Sequence, residues 1–391
     1  MLHNWVERAD QLFIASFKTI FFVIGVFGNS CFIFIVIRNQ NLQSKSSFLQ
    51  CIQCLFHIIC LLGTLVDVGL AIQDVQLDRT SCFHIMIPFV FFEAAQAVIM
   101  LELVLDIYII VKLPVFYKKI ETYVYLLVAL VAPFIIGAIF ASWGFTNLDD
   151  EEIYFCSPTS YIKLPRRECY PLVSIYTFFE TAQSMIMLLL VLDILIIVQR
   201  PRFYHTFSTT KYICLCLIPA ILCGILFFVW GFLYTDDELV IFCNPPLGLN
   251  ITASTWFFRY ILFLNMLTLI VFLVLIRIFY AKGRAHRGDS WKVMKRLQLS
   301  VVIFVCSWFI AQSANSVFLA MGITGETFNF LCGNVAFFVL LSFSQTFYVI
   351  IWKSKEYRQH FISIWCSRSI RSADVTSSVK TGPIGMVTRT F

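Results

Sequence analysis

Phe91-Phe92-Glu93, Leu103-Val104-Leu105-Asp106-Ile107, Pro114-x-Phe116-Tyr117, Trp143-Gly144-Phe145 and Asp149-Asp150-Glu151 mark out the stretch from Cys82 to Cys156, which is written a second time from Cys169 to Cys243. The second set reads Phe178-Phe179-Glu180, Leu190-Val191-Leu192-Asp193-Ile194, Pro201-x-Phe203-Tyr204, Trp230-Gly231-Phe232 and Asp236-Asp237-Glu238. Laid together without a gap at an offset of about 87 residues, roughly 33 of 75 positions agree, in order as well as in type, which shared composition does not produce. Each copy runs from a cysteine through a long apolar segment, a short basic turn-like segment around proline, a second apolar segment and an acidic loop to another cysteine. That is a transmembrane helical hairpin with its own cysteine pair.

Working outward, the chain of 391 residues is 59% hydrophobic and only 13% charged, with a mean hydropathy of +0.83. Such a chain is a polytopic membrane protein rather than a soluble domain. A bilayer core about 30 Å thick needs about 20 apolar residues per helix. Runs of that kind fall near 12–37, 47–72, 83–111, 122–144, 170–198, 211–234, 255–280, 297–322 and 328–352. The pattern predicts nine spans, the first a retained helix, since it is too long for a signal-peptide core.

The net charge of +6 does not call for nucleic acid. About 22 of the Lys and Arg residues fall on one side of the nine spans, in the loops around Lys45, Lys118-Lys119, Arg200-x-Arg202 and Lys282 to Arg296 and in the tail, and the positive-inside rule makes that side cytoplasmic. The N-terminus then lies outside and the C-terminus inside, at the plasma membrane. The sequon Asn250-Ile251-Thr252 lands outside, where a glycan acceptor belongs. Cys82, Cys156, Cys169 and Cys243 all sit on that oxidising face. Four cysteines allow three pairings, and the repeat favours Cys82 with Cys156 and Cys169 with Cys243, against cross-copy pairing or free thiols.

Polar residues inside apolar segments are costly and should face the bundle. Asn29 and His57 are of this kind; for His57 a buried neutral imidazole is the ordinary reading. Glu93, Gln96 and Met100 share one stripe of their helix, with Glu102 opposite. In the second copy Leu189 replaces Glu102, which suggests the first copy at the bundle centre and the second at its edge. After the last span, Trp352 to Trp365 is amphipathic and reads as a helix lying on the inner membrane surface. Cys366 is a lipidation candidate. Residues 367–391, rich in Ser and Thr, read as a disordered tail. No metal-ligand cluster and no nucleophile motif such as Gly-x-Ser-x-Gly appears, so no cofactor and no enzyme is expected.

These features resemble the rhodopsin-like seven-helix receptors. Gly28-Asn29 is similar to that superfamily's first-helix signature. Cys82, Asp106, Pro114 and Tyr117 follow its third-helix spacing, Cys156 resembles its second-loop cysteine, and Phe304 and Trp308 resemble its sixth-helix aromatics. Val305-Cys306-Ser307-Trp308-Phe309-Ile310 and Ser354-Lys355-Glu356-Tyr357-Arg358 look most like nematode serpentine chemoreceptors of the Srsx type. Departures accompany the likeness. Ile107 and Ile194 stand where an arginine is expected, His57 where an acid is expected, and Tyr348 lies in a segment lacking Asn-Pro-x-x-Tyr.

The resemblance implies an all-α membrane protein, a seven-helix receptor bundle plus one extra transmembrane hairpin. Residues 1–72 would hold helices one and two, 82–156 and 169–243 the two copies of the helix 3–4 hairpin, 255–352 helices five to seven, and 353–366 the membrane-parallel helix. It implies a chemosensory receptor for an extracellular small ligand or peptide, with a heterotrimeric G protein and membrane lipid as the other partners. Glu93, Gln96, Met100, Trp308 and Gln312 are the candidate ligand-binding residues. Two other readings carry weight: a ligand-gated channel or carrier, and a signalling-dead product that retains two alternative hairpin cassettes.

Overall fold

In the computed structural model the described residues are 2–73, 77–145, 152–153, 160–200, 209–242, 248–283, 309–310, 313–314, 317–318, 321 and 326–365. Among them run eight long helices: α1 (Leu2–Arg38), α2 (Lys45–Gln73), α3 (Arg79–Lys112), α5 (Thr122–Gly144), α6 (Arg166–Gln199), α7 (Thr209–Leu233), α8 (Ile251–Gly283) and α9 (Glu326–Lys353). Two short helices, α4 (Pro114–Lys119) and α10 (Lys355–Trp365), follow α3 and α9. Eight of the nine apolar runs thus coincide with a long helix, and the run 297–322 lies mostly outside the described residues.

Six stretches have the length and hydropathy to cross a bilayer: Leu12–Arg38, Lys45–Leu70, Thr80–Leu103, Thr122–Ser142, Val173–Ile196 and Ile251–Ile278. The apolar part of α7 is the shorter Leu217–Leu233. In α9, Phe337–Trp352 meets Lys355–Trp365 at 94°, the angle of a helix that turns from crossing to lying along a surface. Its aromatic face is held there: Tyr357 stacks on Phe32 of α1 at 5.7 Å, and Phe361 meets Phe347 at 5.5 Å.

The repeat is a repeat of structure. Helices α3 and α6 are both 34 residues long, and both of their ends lie one repeat length apart. Each hairpin is closed by a short antiparallel ribbon. Strand β1 (Leu77–Asp78) pairs with β2 (Glu152–Ile153) in the register Leu77↔Ile153. Strand β3 (Ser160–Pro165) pairs with β4 (Leu239–Phe242) in the equivalent register Leu164↔Val240. Inside each hairpin one glycine lets the helices touch. A Cβ on Gly137 would stand 2.8 Å from the Phe91 carbonyl, and one on Gly224 would stand 2.7 Å from the Phe178 ring. Edge-on ring pairs repeat likewise, Phe83 with Phe145 at 5.2 Å and Tyr170 with Phe232 at 5.0 Å.

Two expectations are corrected. The ribbons add β-structure to an all-helical reading; strands this short carry no alternation a sequence can display. The segment after Leu113 is helical rather than turn-like, because Pro114 sits in the first helical turn, where its missing N–H is no loss. Helix α3 packs against α2, α5 and α6, and α6 packs against α7 and α8, so the copies stand side by side.

Candidate functional site

The stripe predicted on α3 forms, and it faces two neighbours. Gln96 is buried, and its Oε1 accepts from the Cys60 thiol of α2 at 3.8 Å. One turn away Glu93 is exposed and lies within electrostatic reach of Cys60 and of Tyr176 on α6. Tyr176 also lies within reach of Glu180, the counterpart of Glu93 in the second copy. Met100 is half-buried farther along. Of the three candidate ligand residues on α3, Glu93 thus borders the second copy and Gln96 borders α2. Trp308 and Gln312 lie outside the described residues.

Helices α1 and α9 are tied by backbone carbonyls that accept from polar side chains, and α2 joins them through a ring contact. Asn29 Nδ2 donates to the Phe343 carbonyl at 2.9 Å. Ser344 Oγ donates to the Phe21 carbonyl at 3.2 Å, and the Tyr348 hydroxyl to the Ile24 carbonyl at 2.9 Å. His57 is buried and stacks on Phe343 at 5.2 Å, and neither ring nitrogen has a hydrogen-bond partner. The imidazole thus packs as an aromatic ring.

At the far end of α3, about 20 Å from Glu93 at 1.5 Å per residue, the Asp106 carboxylate is buried. Its Oδ1 accepts from the Tyr125 hydroxyl of α5 at 2.7 Å, and its Oδ2 has no hydrogen-bond partner. Lys45, buried at the start of α2, donates its Nζ to the Tyr117 carbonyl and stands 4.5 Å over that tyrosine's ring. Burial first, and the nearby Asp106 second, hold the Tyr117 hydroxyl above its ordinary range. With Ile107 in place of an arginine, two tyrosines stand at the acid, and Lys45 stands over their rings. In the second copy Asp193 is also buried; Ile194 follows it on α6.

At the opposite end, the second acidic loop is latched to its own hairpin. Arg166 forms ion pairs with Asp236 and Glu238, the latter at 2.9 Å, and Arg167 Nε meets Asp237 at 3.1 Å. Asn250 Nδ2 donates to Asp236 at 3.0 Å. In the first copy, Asp78 caps α3 by accepting from the Ser81 N–H at 2.8 Å, which holds its carboxyl below the usual range. Neither Cys82 nor Cys169 is a free thiol. Cys156, Cys243, Cys366 and the tail 367–391 lie outside the described residues.

Sequence reasoning missed Lys45, Tyr125 and Arg166 as structural partners, and Gln183 as a buried polar residue. The repeat held a signal for two of them. Tyr125 recurs as Tyr212, and Gln96 recurs as Gln183, which is buried on α6. Lys45 counted only as a loop charge.

Residues 22–162 and residues 160–365 each match the family described as serpentine type 7TM GPCR chemoreceptor Srsx. The matches meet between the two copies, the first hairpin falling in one and the second in the other. No individual curated protein matches the chain.

Proposed function

The chain belongs to the Srsx family of serpentine seven-transmembrane chemoreceptors, and on that premise we propose that it is a nine-span chemosensory receptor with its N-terminus outside and its C-terminus in the cytoplasm. Its ligand is a small molecule or peptide that enters from the extracellular side and shifts a two-state bundle. The observation that carries this reading is the seam between α3 and α6. There Glu93, Tyr176 and Glu180 gather polar chemistry between two helices that fall in the two separate family matches, with Gln96 one turn from Glu93 against Cys60 of α2. Met100, Trp308 and Gln312 complete the candidate set by helix phase and resemblance.

Each hairpin closes its outer end with a disulfide, Cys82 to Cys156 and Cys169 to Cys243, and Asn250 carries a glycan. Coupling to a heterotrimeric G protein proceeds without the usual arginine, through the end of the bundle that holds Asp106, Tyr117 and Lys45.

The test is a second-messenger reporter in cells that express the full chain and are exposed to a panel of amines, organic acids and short peptides. A saturable response whose midpoint rises about tenfold in Gln96→Ala, the loss of about 1.4 kcal/mol of ligand contact, supports the reading. A ligand-evoked current that needs no G protein favours the channel or carrier. The overlap of two family matches favours a second reading, a signalling-dead product with two hairpin cassettes, and this predicts surface expression with no response to the panel.

A further inference from the structure

We propose that the groove between the start of α2, α4 and the start of α5 docks the polyanionic headgroup of a membrane phospholipid, with phosphoinositide chemistry as the fit. The groove is open to one side and offers about 690 Å³. Three cations line it, Lys45, Lys118 and Lys119, against one acid, Glu121. Lys45 is the fixed member: it is buried, and its ammonium is held by the Tyr117 carbonyl over the tyrosine ring. Lys118 and Lys119 end α4 and stand exposed. A singly charged headgroup leaves part of this excess unmatched, whereas one bearing several phosphate charges neutralises it.

The rest of the lining points to a lipid rather than a free phosphate. Phe48, Tyr123 and Leu126 form an apolar wall. From Tyr123 an exposed stripe continues along α5 through Leu127 and Val131, which are 70%, 67% and 51% exposed. Residues four apart share a helix face, so the stripe leads from the lysines into the hydrocarbon region, where acyl chains lie. The site is particular to the first copy. In the second copy His205-Thr206 replace Lys118-Lys119, Thr210 replaces Tyr123, and the remaining basic residues Arg200, Arg202 and Lys211 sit at other positions of the repeat.

The topology proposed above decides only which leaflet supplies the lipid. Binding in detergent is blind to orientation, so failure here and failure of the topology are separable. The experiment is native mass spectrometry of the purified full-length chain in detergent with phosphatidylinositol 4,5-bisphosphate, phosphatidylserine or phosphatidylcholine added. The wild type should retain the bisphosphate lipid in preference to the other two. The variant Lys118→His/Lys119→Thr, which installs the second copy's residues, should bind it about thirty-fold more weakly, as two lysines near a lipid headgroup imply. Should the double variant fail to melt cooperatively, Lys119→Gln alone carries the test, with about a fivefold loss. Undiminished binding by the variant that folds overturns the proposal. So does equal retention of phosphatidylserine, or displacement of the lipid by an equal concentration of free inositol 1,4,5-trisphosphate.

Discussion

The two hairpins are alike where they touch themselves and unlike where they touch others. Ribbon register, the glycine under a phenylalanine and the ring pair at the closed end all recur one repeat length apart. The faces of the first helices differ. Where α3 has Val90, Ala94 and Ala97, α6 has Thr177, Thr181 and Ser184. Helix α3 meets α2, while α6 meets α8. The helix starts also differ: Asp78 caps α3 through the Ser81 N–H, whereas Pro165 precedes α6 with no side-chain cap. A duplicated unit that keeps its internal contacts and changes its outward ones is what two copies in one bundle require, because only the outward faces meet different neighbours.

The comparison breaks most readily at the glycines. Leucine at position 137 drives a side chain into the Phe91 carbonyl, and leucine at 224 drives one into the Phe178 ring and carbonyl. Backbone cannot step aside as a flexible side chain can, so Gly137→Leu and Gly224→Leu should each cost about 3 kcal/mol, the upper end of overpacking effects. The measurement is the thermal melt of the purified chain in detergent. Equal losses mean that both hairpins are packed units; a tolerated substitution in one copy removes that copy from the bundle.

Next in size is the latch that only the second copy displays among the described residues. The Arg166 side chain is 10% exposed, and its partners Asp236 and Glu238 are 37% and 70% exposed. A fully buried pair loses more when one member is removed, but solvent screens these carboxylates. Arg166→Ala should therefore cost about 1–2 kcal/mol. It should also expose the 236–243 segment to limited proteolysis while the first hairpin stays protected. Equal cleavage in both hairpins would mean that the ion pairs do not hold the loop.

Much of this was legible in the sequence, and the reason is periodicity. Nine apolar runs, the repeat and its phase needed only hydropathy and an 87-residue shift, and eight of the runs became long helices. The stripe of Glu93, Gln96 and Met100 was legible because residues three and four apart must share a helix face. What stayed hidden depends on contacts between elements far apart in the chain. Lys45 lies 72 residues from the carbonyl it reaches, and no local pattern announces that meeting. The side-by-side contact of α3 with α6 was not announced by Leu189 either, because a substitution tells which residue changed and not which neighbour it faces.

The smallest expected effect is the most discriminating for that last point. Thr177 Oγ1 donates to the Val173 carbonyl at 3.2 Å, and Thr181 Oγ1 donates to the Thr177 carbonyl at 2.6 Å. Both residues are buried, yet each hydroxyl is satisfied inside its own helix by a carbonyl that the α-helical ladder already serves. Restoring the first copy's residues, Thr177→Val and Thr181→Ala, removes donors without orphaning an acceptor, and valine nearly matches threonine in shape. Each change should shift stability by no more than about 0.5 kcal/mol, since hydrogen bonds inside membrane proteins average about 0.6 kcal/mol even between helices. A melt lowered as far as by Arg166→Ala would instead mean that these hydroxyls bond across the seam. The divergence of α6 from α3 would then be a polar interface built for a particular neighbour.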